Sequence, residues 1–174
     1  MRRRLTGTAA ALLGAAVLAL PAAPAASAAT RPTLPSLFAR QIAAIDRAPH
    51  AIPVLLPRSM PLDATRMFAS GGTQRSGYDL EIGAVRRCGG ANACFVADFT
   101  AAKGGKVFGK RVTVRGATRA GFLPLSCGAS CSPPQIDFLW QGVLYTIQAN
   151  LKSKQTDRAA LIAAAQSAIS AGPR

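Results

Sequence analysis

Residues 135–151 read QIDFLWQGVLYTIQANL, and a hairpin is the reading that accounts for their apolar residues. A turn centred on Gln141-Gly142 pairs Trp140 with Val143, Phe138 with Tyr145 and Ile136 with Ile147, so all six side chains share one face. An odd-length loop would break the match, because successive strand residues point to opposite faces.

Working outward, TDRAALIAAAQSAIS (156–170) has Thr156 or Asp157 as N-cap, an apolar stripe of Leu161, Ala165, Ala168 and Ile169, and a Gly172-Pro173 stop, which together spell a helix. Upstream, YDLEIGAV (78–85) and CFVADFT (94–100) flank a glycine-rich turn and read as a second hairpin. If Cys88 and Cys94 are paired, strict alternation puts Ile82 opposite Thr100, with Phe95, Ala97 and Phe99 on the wrong side. One extra residue in the first strand, a bulge near Gly83, would return Tyr78, Leu80 and Ile82 to the face of those three. KRVTV (110–114) and GFLPL (121–125) read as further short strands. In SLFARQIAAIDRA (36–48), Leu37, Phe38, Ile42 and Ile45 recur at helical spacing, ending before Pro49. AIPVLLPRSMP (51–61) is apolar but broken by Pro53, Pro57 and Pro61, which confines it to an edge strand or an extended wrap. The expectation is a single α+β domain over residues 36–174: a curved antiparallel sheet of about six strands, with an N-terminal and a C-terminal helix packed on it. Residues 29–35 are expected to form a flexible leader.

IDFLWQGVLYTIQ (136–148), a polar spacer and LIAAAQSAIS (161–170) resemble the C-terminal half of exported bacterial domains of unknown function, with their tryptophan, glycine turn, tyrosine strand and Ala/Ser/Ile-rich last helix. GYDLEIG, CGGANAC and LSCGASCSPP resemble segments of uncharacterised secreted proteins of the same kind. The resemblance spans roughly residues 50–174. It implies a curved antiparallel sheet with terminal helices, and no activity comes with it.

The N-terminus sets the compartment. MRRRLTGTAAALLGAAVLALPAAPAASAA places three arginines before an apolar run from Ala9 to Leu20, then Ala26-Ser27-Ala28 as a cleavage site, so residues 1–28 read as a secretory signal peptide. The run is shorter than the roughly 20 residues a bilayer-spanning helix needs. Arg3-Arg4 is a weak twin-arginine hint. A secreted, extracytoplasmic chain meets oxidising conditions, where cysteines pair. All four, Cys88, Cys94, Cys127 and Cys131, lie in two close pairs. Zinc is disfavoured because the first pair is C-x5-C and the one histidine, His50, is distant; a redox C-x-x-C is absent, and no cofactor is implied. Three pairings are open. The local one, Cys88 with Cys94 and Cys127 with Cys131, is favoured, the latter through a helical-type turn that brings its Cα atoms to about 6 Å. Each closed loop would contribute about 2 kcal/mol in the chain-entropy model.

Signals for catalysis are sparse. There are seven carboxylates, and among them Asp79 and Glu81 alternate with Tyr78, Leu80 and Ile82, roughly 7 Å apart on the polar strand face. That separation suits a glycosidase pair, and a solvated outer face explains it equally well. His50 is a candidate general base without a surrounding motif. GGKVFGK (104–110) satisfies G-x-x-x-x-G-K, but Arg111 follows where a phosphate-binding loop needs Ser or Thr.

Charge speaks more clearly. Losing Arg2, Arg3 and Arg4 with the signal takes the 21 Lys and Arg to 18 against seven acidic residues, a net of +11. Lys103, Lys106, Lys110, Arg111, Arg115 and Arg119 follow one another without an acidic residue, and Arg86 and Arg87 add to them from the hairpin arm. Such a field attracts polyanions: teichoic or other envelope polymers, anionic lipid headgroups or extracellular nucleic acid, with a merely solubilising face as the alternative. Specific nucleic-acid recognition is disfavoured, since the basic loop carries a single aromatic, Phe108. Three readings follow. The first is a secreted non-enzymatic protein that binds anionic cell-envelope material. The second is a structural or protein-interaction module offering its sheet face or proline-rich edge to another exported protein. The third is a small extracytoplasmic hydrolase using Asp79, Glu81 or His50.

Overall fold

In the computed structural model of the chain, which describes residues 32–49, 52–153 and 156–174, the hairpin read at 135–151 lies inside the sheet. Along the chain come α1 (Leu34–Leu37), α2 (Ala39–Ile45), β1 (Phe68–Gln74), β2 (Gly77–Gly83), β3 (Phe95–Lys103), β4 (Lys110–Val112), β5 (Arg119–Leu123), β6 (Ser126–Cys127), β7 (Cys131–Ser132), β8 (Gln135–Trp140), β9 (Val143–Ala149) and α3 (Asp157–Ala171). Seven strands form one antiparallel sheet in the order β1-β2-β3-β9-β8-β5-β4, and β6 and β7 form a separate two-stranded ribbon. The β8–β9 register pairs Trp140 with Val143, Phe138 with Tyr145 and Ile136 with Ile147. Gln141 (φ 50°) and Gly142 (φ 78°) both take the left-handed conformation that a tight two-residue hairpin requires.

The inner sheet face carries Tyr78, Leu80, Ile82, Ala97, Phe99, Ala120, Ile136, Phe138, Tyr145 and Ile147, all buried. Phe38, at the α1–α2 junction, meets Phe99 edge-to-face at 5.9 Å, and α3 lies against β8 with Leu161, Ala164, Ala165 and Ala168 buried. The proline-rich segment that joins α2 to β1 is a wrap rather than an edge strand. Ile52, Val54, Leu55 and Leu56 are buried in the core. The prolines keep it out of the sheet ladder, so side chains and chain ends satisfy its backbone instead. Tyr78 Oη accepts from Leu55 N (3.2 Å), Tyr145 Oη donates to Pro53 O (3.0 Å), and Arg174 N donates to Val54 O (3.0 Å). Burial pushes the Tyr145 hydroxyl up to about 12 and raises that of Tyr78 further.

Several expectations change. The strands number seven in the main sheet plus two in the ribbon, not about six. The unforeseen β1, FASGGTQ, lacks apolar alternation and sits at the edge; its Gly71 (φ 108°) lies so close to Asp79 O that a side chain would collide. Residues 33–35, placed in the flexible leader, belong to the fold: Thr33 caps α1 and Leu34 is buried. The bulge falls at Ile82/Gly83, but the extra residue is Val96 in β3 and not one in β2. Val96 is therefore buried, and Phe95 moves to the outer face. Both disulfides are the local ones, Cys88–Cys94 and Cys127–Cys131. Cys127 lies directly opposite Cys131 in the ribbon with Cα atoms 4.0 Å apart, so the turn is a hairpin and not helical. The signal-peptide reading of residues 1–28 and the general-base reading of His50 lie outside the described residues.

Candidate functional site

The functional features lie on the other, outward face of the sheet, which the β2–β3–β9–β8–β5 register divides into two halves of opposite charge. On the first half, the chain leaving β3 crosses over β9, β8 and β5 to reach β4 at the edge. Glycines let it lie flat on the sheet: a side chain at Gly105 would strike Leu144, one at Gly109 would strike Phe122 O, and one at Gly121 would strike Phe108 O. Close packing thus explains Gly105 and Gly109 of GGKVFGK, whereas Gly104, with open space around it, is there for its left-handed φ of 72°. Asp137 pins the crossing. Its carboxylate is 1% exposed and accepts from Phe108 N (2.9 Å), Thr146 Oγ1 (2.9 Å) and Gln135 Nε2 (2.6 Å). Three donors at one carboxylate satisfy a polar group that burial has taken out of water.

The crossing and the edge it reaches carry the basic run. Lys103, Lys106, Lys110, Arg111, Arg115 and Arg119 are all exposed. Arg111 is opposite Gly121, and Arg119 is two residues from Gly121 on the same strand, so both arginines take the outward face. They line one depression of about 370 Å³ together with Val107, Gly109, Thr118 and Ala120, and no carboxylate lines it. Arg86 is elsewhere, its guanidinium 5.1 Å from the centre of the Phe68 ring near β1.

On the second half, register gathers acids. Glu81 pairs directly with Asp98, and Asp79, one step along the same face, pairs with Thr100. These three carboxylates share a cleft of about 240 Å³ with Phe95, Asn92 and Gln148. Gln74 Nε2 donates to Asp79 Oδ2 (3.2 Å), and Gly90 N donates to both oxygens of Glu81 (3.1 Å each). Asp98 Oδ1 is buried without a hydrogen-bond partner. Desolvation first, then the charge of Asp79 and a carboxyl–carboxyl hydrogen bond with it, push the Asp98 carboxyl up to about 7. That bond exists only while one of the two carries a proton. Gly90 and Asn92, in the loop closed by Cys88–Cys94, and Ser132 and Pro133, next in chain after Cys131, line the same cleft.

The structure thus brings Asp79 and Glu81 together, as a paired-carboxylate site requires, and adds Asp98, which alternation alone does not single out. Its partner across the sheet depends on the bulge at Val96. The six basic residues form a path from the end of β3 to the start of β5, with Arg111 and Arg119 converging at its end. Among the described residues, no group of three or more His, Cys, Asp or Glu is arranged to hold a metal ion. Among the described residues, the large exposed apolar side chains are Val85, Phe108 and Leu125, from three separate segments. No family model, curated protein or solved structure matches the chain.

Proposed function

We propose that the protein is an exported, non-enzymatic module that binds anionic cell-envelope polymer through the basic crossing and the β4–β5 edge. The observation that carries this reading is the exposed run of six cations ending in a two-arginine depression that no carboxylate lines. Asp137, the carboxylate beneath the run, is buried and committed to three donors, so it holds the loop without competing for ligand. The acidic cleft on the other half of the face repels a polyanion and confines it to the basic edge. Two disulfides suit the oxidising compartment outside the cytoplasm.

The test is co-sedimentation of residues 29–174 with purified cell-wall polymer at low and high salt. Binding should weaken steeply with salt and be lost in Lys106→Ala/Lys110→Ala/Arg111→Ala. Salt-independent binding would refute the reading.

A second reading, hydrolysis at the carboxylate cleft, is favoured by one observation: Asp98 holds a proton up to about pH 7 beside two further carboxylates, as a general acid does. Turnover of chromogenic glycosides that vanishes in Asp98→Asn would support it, and an inactive wild type would remove it.

A further inference from the structure

We infer that the Arg111–Arg119 depression is a preformed seat for a tetrahedral oxyanion, which makes phosphate-ester polymers, rather than carboxylate polymers, the class the basic edge selects. The inference rests on the polyanion reading above and sharpens it from a diffuse field to a site.

Three observations lead there. First, the walls are fixed independently of any ligand. Thr118 N and Oγ1 both donate to Leu139 O (2.9 and 3.2 Å), which ties the start of β5 to β8. Phe108 N is held by Asp137, and Gly109, at φ +86° against Phe122 O, closes the rim in a conformation that L side chains rarely adopt. Second, Arg111 and Arg119 both line the concavity with no acidic side chain in its lining, so no carboxylate there competes with an anion from outside. Third, the donors are arginines. A guanidinium presents a planar fork of N–H groups that takes two oxygens at once. One fork engages both oxygens of a planar carboxylate, whose remaining lone pairs lie in that same plane. A phosphate diester carries two anionic and two ester oxygens on a tetrahedral centre, so forks approaching in different planes both find acceptors. Lys103, Lys106 and Lys110 are point charges on flexible stems, so they add attraction without distinguishing the two anions.

The experiment measures affinity of the purified mature chain for poly(glycerol phosphate) and for polyglutamate of matched charge number, at one ionic strength. The protein is the wild type and the charge-conserving Arg111→Lys/Arg119→Lys variant. Both side chains are exposed, so the lysines leave packing intact; matching thermal melts verify this. The expected result is about tenfold tighter binding of the phosphate polymer by the wild type. In the variant that preference should be lost, because lysine point charges at the same net charge attract the two polymers alike. A wild type without preference, or a variant that keeps it, overturns the seat while leaving the polyanion reading standing. A wild type that binds neither polymer nor phosphatidylglycerol vesicles at low salt overturns the polyanion reading itself. Binding to phosphatidylglycerol vesicles without binding to the soluble phosphate polymer overturns the polymer as source and assigns the phosphate to a lipid surface.

Discussion

Replacing Asp98 by asparagine should stabilise the protein at alkaline pH and not at acid pH. The Asp98 carboxyl is raised from 3.8 to about 7, so the folded state keeps a proton that the unfolded chain has already released between those values. Where the folded state binds more protons, stability falls as pH rises. This contribution is therefore neutral below about pH 4, grows more unfavourable up to about pH 7 and is constant above it. About three units correspond to a ceiling of about 4 kcal/mol. The cleft is open to water, which screens the carboxylates and reduces the expected effect to about 1–2 kcal/mol. The amide is isosteric and neutral, and its NH₂ can donate to Asp79 or Glu81. At pH 8 Asp98→Asn should therefore be more stable than wild type by about 1–2 kcal/mol, a rise of about 3–6 °C in Tm for a domain of this size. Near pH 4 the two proteins should coincide. Urea unfolding of both at pH 4, 6 and 8 isolates the effect of the cleft, because the carboxylates outside it cancel in the difference. A difference that does not vary with pH, or an Asp98→Asn protein that is less stable at pH 8, would refute the reasoning.

Two further substitutions probe the crossing loop. Asp137→Ala leaves Phe108 N, Thr146 Oγ1 and Gln135 Nε2 without their acceptor, at a cost of about 2–4 kcal/mol. The loop should loosen, seen as faster hydrogen exchange at the Phe108 amide and weaker polymer binding; unchanged exchange would show that Asp137 does not pin it. Gly121→Ala sets a methyl against Phe108 O and forces loop or strand to shift, costing about 1–3 kcal/mol with a fall in denaturation midpoint, whereas Gly128→Ala, with open space around it, should not be destabilising through contact.

Much of the fold is written in local periodicity. The six-residue match around Gln141-Gly142, the helical stripes of α2 and α3, and the close cysteine pairs each depend on residues a few positions apart, where backbone geometry leaves few choices. β1 escaped because an edge strand with two glycines buries little, so nothing forces its side chains to alternate. Leu34 is buried in the core cluster, a tertiary contact that the residues beside it in sequence do not announce.

An α+β chain with a basic run and local cysteine pairs is legible from residue order, because charge and periodicity are additive along the chain. That the basic loop lies on the sheet and not in solvent is visible only in the fold, since it depends on glycines of different segments meeting backbone carbonyls. Only the fold sets Asp98 opposite Glu81, because one extra residue at Val96 fixes the register and parity of that strand pair. Arg111 and Arg119 likewise meet through a hairpin whose register is a three-dimensional fact. A site of that kind comes from strands brought side by side, and no single stretch of chain contains it.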